Sequence, residues 1–164
     1  MDKAYFVDLY RYNFWANRQV WKCAMALTDG QFDQPPDYSV GSVHDQLVHV
    51  LSVEYWWFFF LKERRLQFLE QVDDLRDRDA IRARWDAVEQ YNLAYLETLT
   101  PAELERDVRP PFWENRKPVK VWNALIQVAN HSTDHRAQTL AHLHTLGVET
   151  VGQDYLDYIL DVRG

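Results

Sequence analysis

The chain has 164 residues, 47% hydrophobic and 26% charged, with a formal net charge of −7. That is the length of one globular domain, residues 1–164, and it is too apolar for a disordered chain; the acidic balance excludes nucleic acid, which needs a clustered cationic face. The single Cys23 excludes an intramolecular disulfide, and Met1–Tyr5 shows no signal region. The longest apolar run, Tyr55 to Leu61, is far short of the ~20 residues of a membrane span, so a cytoplasmic protein without membrane contact is expected.

Phe6, Leu9, Asn13, Ala16, Val20, Cys23 and Leu27 recur at steps of three and four, which predicts a first helix over 3–27. Asn13 is the polar exception in its stripe, and Cys23 reads as a small buried hydrophobe. Asp29-Gly30 and Pro35-Pro36 stop that helix. Ser42 with Asp45 has the form of a capping box, and a second helix is predicted over 43–68. Leu47, Val50, Glu54, Trp57 and Leu61 mark one stripe of it, and Val53, Trp56 and Phe60 mark another. This helix is therefore buried on most sides, and its polar His49 and Glu54 each need a partner.

Ile81, Trp85, Val88, Asn92, Tyr95 and Leu99 predict a third helix over 78–99, ended by Thr100-Pro101. The segment 101–117 reads as a connection with a short turn at Ala102-Glu103-Leu104. A fourth helix is predicted over 119–146, with Pro118 at its start and Gly147 just past its end. A short last helix is expected over 153–160, and no segment alternates as a strand should. Four amphipathic helices of this length predict an all-α four-helix bundle with a short extra C-terminal helix.

The fourth helix carries His131-Ser132-Thr133-Asp134-His135. Histidines at i and i+4 share a face, with β-carbons about 5–6 Å apart, close enough to converge on one ion. Val121 and Val128 place that face inward, where an unpaired imidazole is costly. His49, on the buried second helix, is a third candidate: if the two helices adjoin, three neutral imidazoles meet inside the bundle. Buried histidines also serve as satisfied core residues, and spacing alone does not separate the two readings. His44 lies off the face of His49. His142 is seven residues beyond His135, roughly 10 Å along the axis and too far to share an ion. His142 and His144 suit a helix C-terminus.

The run Asn130-His131-Ser132-Thr133-Asp134-His135-Arg136-Ala137-Gln138, followed by Leu146-Gly147-Val148 and Asp154-Tyr155-Leu156-Asp157-Tyr158, resembles the C-terminal signature of the DinB family. Leu47-Val48-His49-Val50-Leu51 leading into Glu54 and Trp57 resembles its second helix, and Tyr12-Asn13-Phe14-Trp15-Ala16-Asn17 its first. Ala137 departs from the glycine common there, a change that suits a helix interior. The resemblance implies a bundle of up-down-down-up order, compatible with the 71–77 and 101–117 connections. It also implies a divalent metal on His49, His131 and His135, and a homodimer, with which the surplus of aromatic residues is consistent.

Three imidazoles suit zinc, nickel, iron or copper. Asp45, at i−4, is a candidate acceptor for the other ring N–H of His49. Asp134 reads as solvated surface, and Arg136 and Gln138 as surface packing or site residues. Glu54 is the best-placed carboxylate, read first as a core hydrogen-bonding group. The resemblance implies a metal-dependent enzyme acting on a small-molecule substrate, either a hydrolase or an S-transferase with a thiol cofactor. A non-catalytic metal- or ligand-binding protein linked to stress is the alternative.

Overall fold

The computed structural model describes residues 1–37, 41–69 and 75–163. Helix α1 (Lys3–Ala24) opens on Asp2, whose carboxylate accepts from the Tyr5 N–H at 3.0 Å. A single turn, α2 (Asp29–Phe32), follows with its own capping box from Thr28 and Gln31. Helix α3 (Val43–Glu63) starts from the reciprocal Ser42–Asp45 cap expected from the sequence. Just before it, Gly41 takes φ +73°, and a side chain there would meet the Asp45 carboxylate. The helix stops at Arg64, which is left-handed, so it ends short of Phe68.

Helix α4 (Arg78–Leu96) is capped by Asp77, and Thr100 caps the short α5 (Pro101–Leu104). Two-residue strands β1 (Asp107–Val108) and β2 (Val119–Lys120) pair antiparallel and close the 101–117 connection into a loop. That ribbon corrects the expectation of no strand. It is too short to show alternation, and it delays the last long helix, α6, to Val121–Thr145. Gly147, with φ +83°, follows the end of α6 as expected. Helix α7 (Tyr155–Arg163) completes the described chain; part of the 71–77 connection lies outside the described residues.

Helix α1 packs on α4 and α6, and α3 packs on the same two, so α1 and α3 stand diagonally. Contacts set the directions. Tyr10 bonds the Leu125 carbonyl while Asn13 and Asn17 meet Arg136, so α1 and α6 run parallel. Asn13 meets Glu54 while Tyr10 meets Phe58; with Trp21 against Trp85 and Lys3 against Glu97, α3 and α4 both run opposite to α1. The order is up-down-down-up. An apolar cluster around Phe14, Phe58, Leu96 and Leu125 fills one end of the bundle, and another around Val20, Leu51, Ile81 and Trp85 fills the other. The buried polar residues Asn13, Asn17, Glu54, Ser132 and Arg136 form a layer at the waist. Among the described residues, no helix is long and apolar enough to cross a membrane.

Candidate metal centre

Helices α3 and α6 bring His49, His131 and His135 together. One ring nitrogen from each lies within 4.8 Å of the other two, and the Nε2 atoms of His49 and His131 are 3.2 Å apart. Two nitrogens bound to one tetrahedral ion at 2.0–2.1 Å would be about 3.3–3.4 Å apart, so the observed separation already fits a shared ion. The rings are close-set, with centroids 4.5 Å apart for His49–His135 and 4.3 Å for His131–His135.

His135 has a fixed orientation. Its Nδ1 lies 2.7 Å from Oε1 of Gln46, a carbonyl oxygen that can only accept, so Nδ1 carries the proton and Nε2 keeps its lone pair. Burial holds all three imidazoles below the usual histidine range, His131 at about 4 with help from the neighbouring His135 and His49. The rings are therefore neutral near pH 7, the protonation state that ligates a cation. The Asp134 carboxylate pulls His131 and His135 the other way, but burial outweighs it. Three convergent lone pairs without enough donors among them are costly unless a cation is shared. By donor chemistry and spacing, the set fits one divalent metal.

A cavity of about 510 Å³ opens beside this cluster, with His131 in its wall. Val53, Trp56 and Trp57 of α3 form one side, and Phe112 and Trp113 of the 109–118 loop form another. Its polar groups are Arg116, Asn123 and Gln127. Among the described residues, no Asp or Glu lines it.

A family model for the DinB family matches residues 1–161. The chain belongs to the DinB family. Two solved structures share the fold of this DinB chain, both from Bacillus subtilis. A DinB-like protein, YjoA, is 14% identical, covers 88% of this chain and 94% of its own, and superposes with a TM-score of 0.67. YfiT, described as a probable metal-dependent hydrolase with an unusual four-helix bundle topology, is 20% identical, covers 90% of this chain and 89% of its own, and also has a TM-score of 0.67. At these identities the likeness concerns the fold. No curated protein matches the sequence significantly.

The DinB bundle unites the three histidines singled out in the sequence and keeps the others apart. His44 Nε2 lies 2.7 Å from the Leu75 carbonyl, its Nδ1 faces Asp33 and Asp45, and His144 is exposed. Asp45 does not serve His49: its position in the first turn of α3 turns its carboxylate back to the Ser42 N–H and hydroxyl. Gln46, one residue on, supports His135 instead. It went unnoticed in the sequence, although it lies three residues before His49 on a helix expected to be buried on most sides.

Arg136 is not a surface residue. It is 2% exposed, and its guanidinium donates to Asn13, Asn17, Thr133 and Gln153. Glu54 is a core hydrogen-bonding group as expected. It is 0% exposed, and its Oε1 accepts from Asn13, Asn17 and Ser132. Burial raises its carboxyl pKa, against those hydrogen bonds and the nearby Arg136 charge.

Proposed function

We propose that this DinB chain is a metal-dependent hydrolase in which His49, His131 and His135 hold one divalent transition metal, zinc, nickel or iron. The observation that carries the reading is the convergence of three neutral imidazoles within 4.8 Å, at the wall of an open apolar cavity. Three protein ligands leave room for a substrate atom, the pattern of catalytic rather than structural sites. When bound, such an ion supplies Lewis acidity, polarising a carbonyl and acidifying water. Gln46 keeps the His135 ring in the ligating tautomer. Trp56, Trp57, Phe112 and Trp113 hold an apolar group beside His131 and exclude water around it. The resemblance of fold to YfiT, described as a probable metal-dependent hydrolase, agrees with this class.

Among the described residues no carboxylate lines the cavity wall, which favours a second reading, transfer to a thiol. A thiol ionises far more readily than water and needs less help from a side-chain base. One series of measurements distinguishes these readings. Metal content is determined on protein purified without a nickel column, and turnover is then followed over a panel of esters and amides with and without low-molecular-weight thiols. One equivalent of metal in the wild type, its loss in His49→Ala, and turnover abolished by His135→Ala are expected. Turnover only with thiol selects the transferase. Full metal loading with no turnover would leave a non-catalytic metal-binding bundle, and no metal in the wild type would defeat the reading altogether.

A further inference from the structure

The cavity carries chemical information beyond its nearness to the three histidines. It follows α6 from Asn123 to His131, eight residues or about 12 Å of helix axis. Flat side chains make up its walls: Trp56 stacks on Trp57 with centroids 4.4 Å apart, Trp113 meets Trp57 edge-on at 5.8 Å, and Phe112 meets Trp56 at 5.5 Å. Phe112 in that wall is 50% exposed, and Phe68, which meets Trp56 edge-on at 6.3 Å, is 58% exposed, an unfavourable placement for Phe112 that an apolar body in the cavity would relieve. The volume lies within the range of small-molecule sites, and the lining has their composition, mostly apolar with a few polar groups.

One of those polar groups is a full positive charge. The Arg116 guanidinium lies 5.4 Å from the Trp113 ring centroid, which places it over the aromatic wall. Among the described residues no carboxylate pairs with it, although the protein as a whole is acidic. The nearby Lys120, by contrast, is paired with Asp107 at 2.9 Å. An arginine presented to an apolar cavity without a carboxylate partner among the described residues is a ready site for a planar anion, which its fork of N–H donors matches.

We propose that the cavity selects a substrate with a flat apolar body and one anionic group, the body lying in the cavity against the aromatic wall and the anion on Arg116. The reacting bond then lies at the opposite end, beside His131. Ligands of this class are aryl or arylalkyl carboxylates bearing an ester or amide. This inference rests on the hydrolase reading for the reacting end only; the binding it describes needs neither metal nor turnover.

Calorimetric titration with naphthaleneacetate and its neutral counterpart naphthaleneethanol tests it, on the metal-loaded protein and on protein stripped with a chelator. The acid is expected to bind about tenfold more tightly than the alcohol in both metal states, with the preference shrinking in high salt because Arg116 is solvent-exposed. Arg116→Gln should bring the two affinities together while leaving that for the alcohol unchanged, and Arg116→Lys should keep most of the preference. Equal binding of acid and alcohol by the wild type overturns the inference. So does a preference that survives Arg116→Gln and vanishes with the metal, since the anion would then sit on the histidines. A protein that binds the acid through Arg116 but cleaves no ester loses the catalytic reading alone, whereas an active enzyme with no preference for the acid loses only this inference.

Discussion

Replacing Gln46 with alanine tests whether the histidine cluster is held ready for a metal by its surroundings. Gln46 is 2% exposed, and its Oε1 receives the His135 Nδ1–H at 2.7 Å. Without it, His135 is free to rotate or to place its proton on Nε2, the nitrogen needed for the ion. Loss of such an outer partner costs about 10–100-fold in metal affinity. That factor corresponds to about 1.4–2.7 kcal/mol. The Gln46 amide also reaches Gln138, but at 3.4 Å that contact is long and adds little. Competition against a chromophoric chelator measures the affinity, and chemical denaturation checks that the fold survives. Gln46→Glu keeps an acceptor at the same place and should bind metal at least as tightly as the wild type. The reasoning fails if Gln46→Ala, still folded, binds within about twofold of wild type. It fails equally if Gln46→Glu is as impaired as the alanine variant, because packing rather than the hydrogen bond would then matter.

Three further outcomes follow from the waist of the bundle and the helix contacts. Glu54→Ala strips the buried Arg136 of its nearby counter-charge and leaves Asn13 and Ser132 without an acceptor, so it should cost about 3–5 kcal/mol in urea unfolding; a loss below about 1 kcal/mol would mean that water takes over the site. Burial raises the Glu89 carboxyl from 4.5 to about 7 despite the facing Arg18 and Arg82, so the folded state keeps a proton that the unfolded chain has released, and this contribution to stability is full below about 4.5 and is lost as pH rises through about 7. Glu89→Gln should therefore gain on the wild type between those two pH values, by at most about 3 kcal/mol, and a difference that stays flat with pH would contradict the shift. Tyr10→Phe removes the 2.8 Å bond to the Leu125 carbonyl and should cost about 1 kcal/mol, read as a lowered Tm.

What was legible in the sequence follows from how each feature is encoded. The four long helices show themselves through period and caps, and the Ser42–Asp45 box sets the start of α3 to the residue. Periodicity overstates a helix end wherever an apolar residue continues the stripe past the last hydrogen bond. Leu27, Phe68 and Leu99 all lie beyond their helices, and Leu27 and Leu99 are buried from loop positions instead. The histidine set was legible because i and i+4 spacing is a local signal and a buried His49 demands a partner. Its support was not. Asp45 and Gln46 are adjacent and both polar, and only the cap geometry decides which of them turns toward the site. The cavity was hidden for a different reason. Phe112, Trp113 and Arg116 sit in a loop without periodicity, and only the β1–β2 pairing folds that loop back over α3 and α6.

The polar contacts between α3 and α6 have a consequence for how exactly the site is made. Apolar packing alone specifies a unique arrangement weakly, since cores of conserved volume and pattern lose uniqueness before they lose stability. Among the described residues, three short polar pairs span this interface in series: Gln46 to His135, His49 to His131, and Glu54 to Ser132, with the longer Gln46–Gln138 contact beside the first. Moving α3 by one helical turn, about 5.4 Å, would break all three at once and leave Glu54 buried without a donor from α6. Glu54 is tied to α1 as well, through Asn13 and Asn17, and those two asparagines accept from Arg136 of α6. The carboxylate and the guanidinium therefore fix the register of three helices from within the buried waist of the bundle. Glu54 need not touch substrate to matter. Its replacement should loosen the alignment of His49 with His131, so that metal affinity falls together with stability, whereas Gln46→Ala should lower affinity with a smaller loss of stability, about 1–3 kcal/mol for one buried N–H left without its acceptor. Measuring both properties in both variants separates alignment of the helices from orientation of a single ring. Equal loss of stability in the two variants would show that register and ring orientation are one and the same constraint.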